Sequence, residues 1–279
     1  MDLRQAPTEF GRALRQLVDA RSRERGRILA ERFQQSVLPL FIHDDRGRPR
    51  RIGSCVLVTV DGCRFAFTAG HVVADADRLY LPGGPHRKLF PIPCGVGFRT
   101  RTEPNIDLDI GVFPLCSTDS DLLLADYKFL AADEIDDADV PSSPVFGQNS
   151  LFLFGYAASR SQVKISHEHL HIDQRSFQLT TLPALADVWQ RERINPDVHV
   201  ALDFDRKAVL VGGQSYTPPD LHGVSGGGIF QLVGHSAEGR LVAIATEHRS
   251  RAHVIVGTRI EHFLTAARNI IRKTPSVFD

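Results

Sequence analysis

Three short stretches, far apart in the chain, carry side chains that can act together. "FTAGHVVAD" (67–75) sets His71 behind an apolar run and two small residues, where a sharp turn would hold it rigidly at a strand end. "NIDLDIGVFPL" (105–115) sets Asp107 and Asp109 just before an apolar strand, and "LHGVSGGGIF" (221–230) sets Ser225 in a glycine-rich turn. A neutral imidazole near pH 7 accepts a proton, a carboxylate on its other ring nitrogen fixes the tautomer, and a hydroxyl relieved of its proton attacks a carbonyl. In chain order His71, Asp109 and Ser225 supply a base, an orienting anion and a nucleophile, with Asp107 the rival for the second role. These are the roles required for acyl transfer through an alcohol.

The glycines suit the same chemistry. An oxyanion hole needs backbone N–H groups that converge beside the nucleophile, and side chains would obstruct that approach. Gly223 can take a backbone geometry closed to other residues, so the N–H groups of Gly223 and Ser225 are the expected donors, while Gly226 and Gly227 admit a substrate closely. Gly223 to Gly227 also spell GxSxG, the nucleophile elbow of the α/β-hydrolases. That arrangement runs Ser, acid, His through alternating strands and helices. Here the histidine comes first and the chain before Ser225 is mostly strand, so the elbow is set aside.

"HEHLH" puts His167, His169 and His171 on one face of an expected strand, a spacing that can offer imidazoles to a metal. A solvated strand face is the preferred reading. No metal or organic cofactor is expected.

The elements that must hold these residues change character along the chain. Residues 1–35 read as a helical arm: Phe10, Leu14, Leu17 and Val18 fall at helical spacing, and Ile28, Leu29 and Phe33 continue after Gly26. From Val37 onward short runs of branched and aromatic residues predict strands, with Asp61-Gly62 a strong hairpin turn. The segment 131–148 is acidic and then rich in Pro and Ser, the composition of an exposed connection between two β halves. Near the end, "EHFLTAARNIIRK" puts Phe263, Leu264, Ala267, Ile270 and Ile271 on one face of a closing helix.

Composition excludes several classes of function. The 279 residues carry 33 basic and 33 acidic side chains and a formal net charge of zero, so no basic field is available for nonspecific nucleic-acid binding. No leader-like apolar segment or membrane-spanning run is found, which predicts a soluble cytoplasmic protein. Cys55, Cys63, Cys94 and Cys116 form no CxxC pair and are expected to be free thiols. Acids interrupt the basic residues of the arm at Glu9, Asp19, Glu24 and Glu31, so a solvated helix packed on the body is expected, with a regulatory partner as the other use of that surface.

Together "FTAGHVV", "DLDIGVF" and "GVSGGGIF" resemble the His, Asp and Ser motifs of the chymotrypsin-like (trypsin-fold) serine peptidases, in that family's order and at spacings typical of its compact bacterial members. The likeness covers roughly residues 36 to 270 and rests on three motifs agreeing. It implies an all-β fold of two six-stranded antiparallel barrels: residues 36–135 with His71 and Asp109, and residues 136–279 with the linker, Ser225 and the closing helix. The family's acid directly precedes its Ile-Gly-Val run, which selects Asp109 over Asp107. The implied activity is a serine endopeptidase acting on protein or peptide through an acyl-enzyme on Ser225. The resemblance further implies that Asp220, Leu221, His222, Thr246, Glu247 and His248 line the substrate pocket. Asp220 and Glu247 there favour a basic side chain, while His248 and Ala252 narrow the slot. Two departures stand out. Gly228 occupies the family's usual proline position, and Val224 stands where members activated by N-terminal cleavage carry an aspartate. The competing reading is a silent trypsin-like module that binds a protein partner in its cleft.

Overall fold

Apolar residues fill successive positions in runs such as "CVLV" and "LFLF", and a strand apolar on both faces must be covered on both sides. The computed structural model accounts for this. It describes residues 24–74, 78–83, 88–92, 97–100, 108–115, 125, 127–136, 150–157, 162–165, 170–173, 176–204, 210–211, 214–215, 221, 223–232, 238–275 and 278.

In the first half β1 (Val37–His43), β2 (Pro49–Val60), β3 (Cys63–Thr68), β4 (Leu79–Gly83), β5 (Lys88–Ile92), β6 (Phe98–Arg99) and β7 (Gly111–Pro114) form one antiparallel sheet, in the order β5-β4-β1-β2-β3-β7-β6. The second half holds β8 (Leu151–Gly155), β9 (Gln162–Ile165), β10 (Leu170–Asp173), β11 (Phe177–Thr181), β12 (His199–Asp203), β13 (Leu210–Val211), β14 (Gln214–Ser215), β15 (Gly228–Leu232), β16 (Gly239–Arg249) and β17 (Val254–Arg259). Six of these make a second sheet, ordered β11-β8-β15-β16-β17-β12. Both sheets curl into half-barrels, so the expected all-β double-barrel class holds. The strand count differs: the first sheet has seven strands where six were expected. Its additional member is the two-residue β6, which pairs Phe98 with Val112 and Arg99 with Gly111 and so covers the edge of β7.

Side-chain alternation sorts the core. In β2, Cys55 and Leu57 face the interior of the first sheet with Leu38, Leu40, Ala66 and Phe113, whereas Val56 and Val58 face outward. In β8, Leu151 and Leu153 likewise fill the second sheet with Val200, Leu202, Ile229 and Ile255, while Phe152 and Phe154 face outward. The two outward faces meet in a common cluster that includes Phe65, Phe67, Phe230 and Ile244. Each sheet therefore shelters the other.

Helices complete that shared cluster. The described part of the arm, 24–33, is helix α1, and it buries Leu29, Ala30 and Phe33, with the Phe33 ring stacked 3.8 Å from that of Phe230. Phe10, Leu14, Leu17 and Val18 lie outside the described residues. A short helix α2 (Ala186–Arg191), not expected from the sequence, sets Trp189 against Ala252, Val254 and Val256. The closing helix α3 (Ile260–Lys273) buries Ile260, Phe263, Leu264, Ala267 and Ile270, and its last-turn Arg272 and Lys273 oppose the negative end of its dipole. At the predicted hairpin, Asp61 and Gly62 both take positive φ (49° and 82°), the signature of a tight primed turn. Of the linker, 131–136 is described and includes a 3-10 turn at Ala132–Glu134; the rest lies outside the described residues.

One strand expectation fails. The run containing "HEHLH" is not a single strand, because β9 and β10 pair antiparallel with Leu170 opposite Ile165, so the chain reverses between them. His167 and His169 lie outside the described residues, and only His171 falls on a strand, β10.

Candidate functional site

The ladder between β3 and β7 brings the first two candidates together. Thr68 pairs with Gly111 at the end of that ladder, so the residues just after β3 and just before β7 must be neighbours. His71 follows in a single 3-10 turn (Gly70–Val73), and Asp109 sits two residues before Gly111. The His71 backbone N–H donates to Asp109 Oδ1 at 2.8 Å, and His71 Nδ1 lies 2.6 Å from Asp109 Oδ2. Both carboxylate oxygens are thus engaged by one residue. Gly70 permits this approach, since a Cβ there would lie 2.8 Å from the Ile110 carbonyl and 3.0 Å from Asp109 Oδ1. Behind Asp109, Thr100 fixes the strand: its Oγ1 accepts from the Ile110 N–H at 2.9 Å. The bound Asp109 carboxylate holds the His71 pKa above the ordinary histidine value against the opposing effect of burial, and the charges of Asp109 and Glu247 push the same way. Asp107 lies outside the described residues.

The Ser225 turn owes its shape to two glycines. Gly223 and Gly226 have φ of 90° and 85°, and a Cβ on Gly226 would collide with the Ser54 carbonyl and Thr68 Oγ1. Within the turn, the Gly226 N–H bonds to the Ala245 carbonyl at 2.7 Å and the Gly227 N–H to that of Val224 at 2.8 Å. The N–H groups of Gly223 and Ser225 have no hydrogen-bond partner among the described residues. The Ser225 hydroxyl donates to the Thr246 carbonyl at 3.4 Å, and no hydrogen bond joins it to His71. The His71 turn and the Ser225 turn meet across Gly53, where a Cβ would lie 3.1 Å from the Ser225 carbonyl oxygen and against Val72.

β16 forms the wall beside the serine. Its ladder with β17 runs through Ala245–Gly257 and resumes at Glu247–Val256, which leaves Thr246 as a bulge. Thr246 is buried, and its hydroxyl donates to the Val256 carbonyl at 3.2 Å. Glu247 is exposed, while the ring of His248 meets the edge of Phe204 at 5.3 Å. Leu221 is buried in the interior of the second sheet, and Ala252 packs beside Trp189. Asp220 and His222 lie outside the described residues.

No family model matches the chain, and no curated protein does. Among solved structures it is similar to the serine endoprotease from Yersinia pestis, at a TM-score of 0.52 and 15% identity over 88% of this chain and 66% of that one. The fold is trypsin-like. This chain spans just under two thirds of that protein's length, and at this identity the likeness concerns the fold. The trypsin-like frame comes with no membrane-spanning helix: among the described residues none is long and apolar enough to cross a bilayer.

Within that frame Ser54 and Thr68, which sequence reasoning did not single out, join the two sheets at the serine turn. The Ser54 N–H donates to the Ser225 carbonyl at 2.8 Å. Its hydroxyl donates to the Gly223 carbonyl and accepts from the Tyr156 N–H, both at 2.9 Å. Thr68 Oγ1 donates to the Ser54 carbonyl at 2.7 Å. No sequence signal marks them, since β2 also carries Arg50, Arg51 and Thr59 and β3 carries Arg64.

Proposed function

We propose that the chain is a serine endopeptidase. The reading rests chiefly on one juxtaposition: a histidine whose ring nitrogen and backbone N–H each engage one oxygen of the Asp109 carboxylate, next to a serine turn with two N–H groups that have no hydrogen-bond partner among the described residues. In the reaction Ser225 Oγ leaves the Thr246 carbonyl, passes its proton to His71 Nε2 and attacks the peptide carbonyl carbon. The carbonyl π electrons move onto oxygen, which the Gly223 and Ser225 N–H groups receive. Asp109 holds the resulting imidazolium, which then gives its proton to the departing amine as the C–N bond breaks. Water, deprotonated by His71, releases the acyl group by the same steps.

A serine-reactive fluorophosphonate tests this directly: the probe labels Ser225 in the unmodified chain, and Ser225→Ala and His71→Ala abolish labelling with the fold intact. A folded chain that stays unlabelled overturns the proposal. One observation favours the second reading, a binding module without turnover: the serine hydroxyl is turned to Thr246 and not to His71. Such a module binds peptide in the cleft and leaves the probe unreacted.

A further inference from the structure

One face of α3 leaves a groove against the first sheet. His262, Ala266, Ile270 and Lys273 recur at helical spacing along it, and its ends lie about 16 Å apart on the helix axis. Opposite them stand Phe98 of β6 and Leu108 and Ile110, the two neighbours of Asp109. The groove encloses about 360 Å³. One wall therefore belongs to the segment that presents Asp109 to His71, and Thr100 fastens that segment through both the N–H and the carbonyl of Ile110.

The lining has an apolar body and a polar end. Leu108, Ile110, Ala266 and Ile270 form the body, and Phe98 is 43% exposed beside them, a large ring left in water. At the end of α3, Asn269 and Lys273 lie four residues apart on the same face, both exposed, and neither has a hydrogen-bond or ion-pair partner among the described residues. None of the described lining residues is acidic. The hydroxyls of Thr265 and Thr274 already donate to the Glu261 and Ile270 carbonyls, and His262 Nε2 faces the Asp197 carbonyl at 3.3 Å. A peptide laid along this body brings an amide at every residue and finds few free groups to meet it, which is costly, whereas an aliphatic chain brings none. The carbonyl end of α3 repels an anion, so the attraction for a carboxylate comes from the Lys273 ammonium and the Asn269 amide.

We propose that this groove binds a linear aliphatic carboxylate, its chain over Ala266 and Ile270 and its carboxylate at Lys273 and Asn269. The proposal stands independently of the endopeptidase reading. Apolar burial supplies most of the affinity, and the exposed charge adds a few-fold that salt weakens.

Isothermal titration calorimetry with decanoate, decanol and decyltrimethylammonium, each below its micelle-forming concentration, measures it. Decanoate binds saturably and about two- to five-fold tighter than decanol, and the cation binds weakest. Lys273→Glu reverses the order of decanoate and the cation, and Ala266→Phe, which fills the groove, abolishes binding of every one. The proposal is overturned by a lack of saturable decanoate binding, by decanoate binding no tighter than decanol, by an order that survives Lys273→Glu, or by unchanged binding to a folded Ala266→Phe chain. An acetylated tripeptide ending in Leu that displaces decanoate and binds more tightly also overturns it, since the groove then takes a peptide C-terminus. If Ala266→Phe fails to fold, the order in Lys273→Glu decides alone.

Discussion

Ser54 shows how one small side chain can carry the geometry of a site. Ser54→Ala leaves the Tyr156 N–H and the Gly223 carbonyl without their partner in a buried setting, a loss of about 1–3 kcal/mol. Urea denaturation will show the lowered midpoint; an unchanged midpoint contradicts the assigned bonds. His71 yields a prediction about pH. On the proposed mechanism hydrolysis requires the neutral imidazole, and the folded-state pKa is raised, so activity should climb as pH rises through a midpoint above the usual histidine value. Asp109→Asn removes the largest cause of that shift, so it lowers the midpoint and severely cuts the rate; a midpoint that stays fixed in the variant refutes the link. His71 and Ser225 stand out in the sequence as candidates because each breaks an apolar or glycine pattern, whereas only the family resemblance separated Asp109 from Asp107. Ser54 does not stand out, since a hydroxyl among Gly53, Cys55 and Val56 breaks no periodicity and its partners lie about a hundred or more residues away.

Helix α1 behaves as part of the body. Phe33 is fully buried against Phe230, and Arg32 reaches Glu134 at 3.2 Å, where Lys128 also bonds at 2.5 Å. Phe33→Ala should cost about 3–5 kcal/mol, whereas Ile28→Ala, on the exposed side, should change stability by less than about 0.5 kcal/mol. Thermal denaturation of the two variants makes the comparison, and equal midpoints would detach α1 from the core. The helical spacing of the arm was readable, but the partner of Phe33 was not, because it comes from a strand nearly two hundred residues away. The β9–β10 reversal escaped for a local reason: "VKISHEHLHI" alternates well enough to pass for one strand and has no Gly or Pro to mark the bend.

Because the two sheets share one aromatic cluster, neither has a complete core alone. The chain should therefore unfold in one cooperative step, with Trp189 fluorescence, which reports on α2 beside the second sheet, coinciding with far-ultraviolet circular dichroism across a denaturant titration. Two separated transitions would mean that each half folds by itself. Strands apolar on both faces, in two groups around an acidic connection, made the two-sheet arrangement apparent from the residues; their numbers were not, because a two-residue strand such as β6 leaves no periodic trace.

The space that Ser54 and Thr68 fill beside Gly226 bears on how such a chain drifts over generations. Any side chain at Gly226 strikes backbone of the opposite sheet, so selection for folding alone keeps that glycine. The Ser225 side chain, half-buried and held by one long hydrogen bond, faces no such constraint. In a lineage that abandoned turnover, the serine and the histidine would wander while the glycine beside them stayed. An intact Gly226 is then a record of architecture, and only the pair His71 and Ser225, kept together, would record the proposed chemistry.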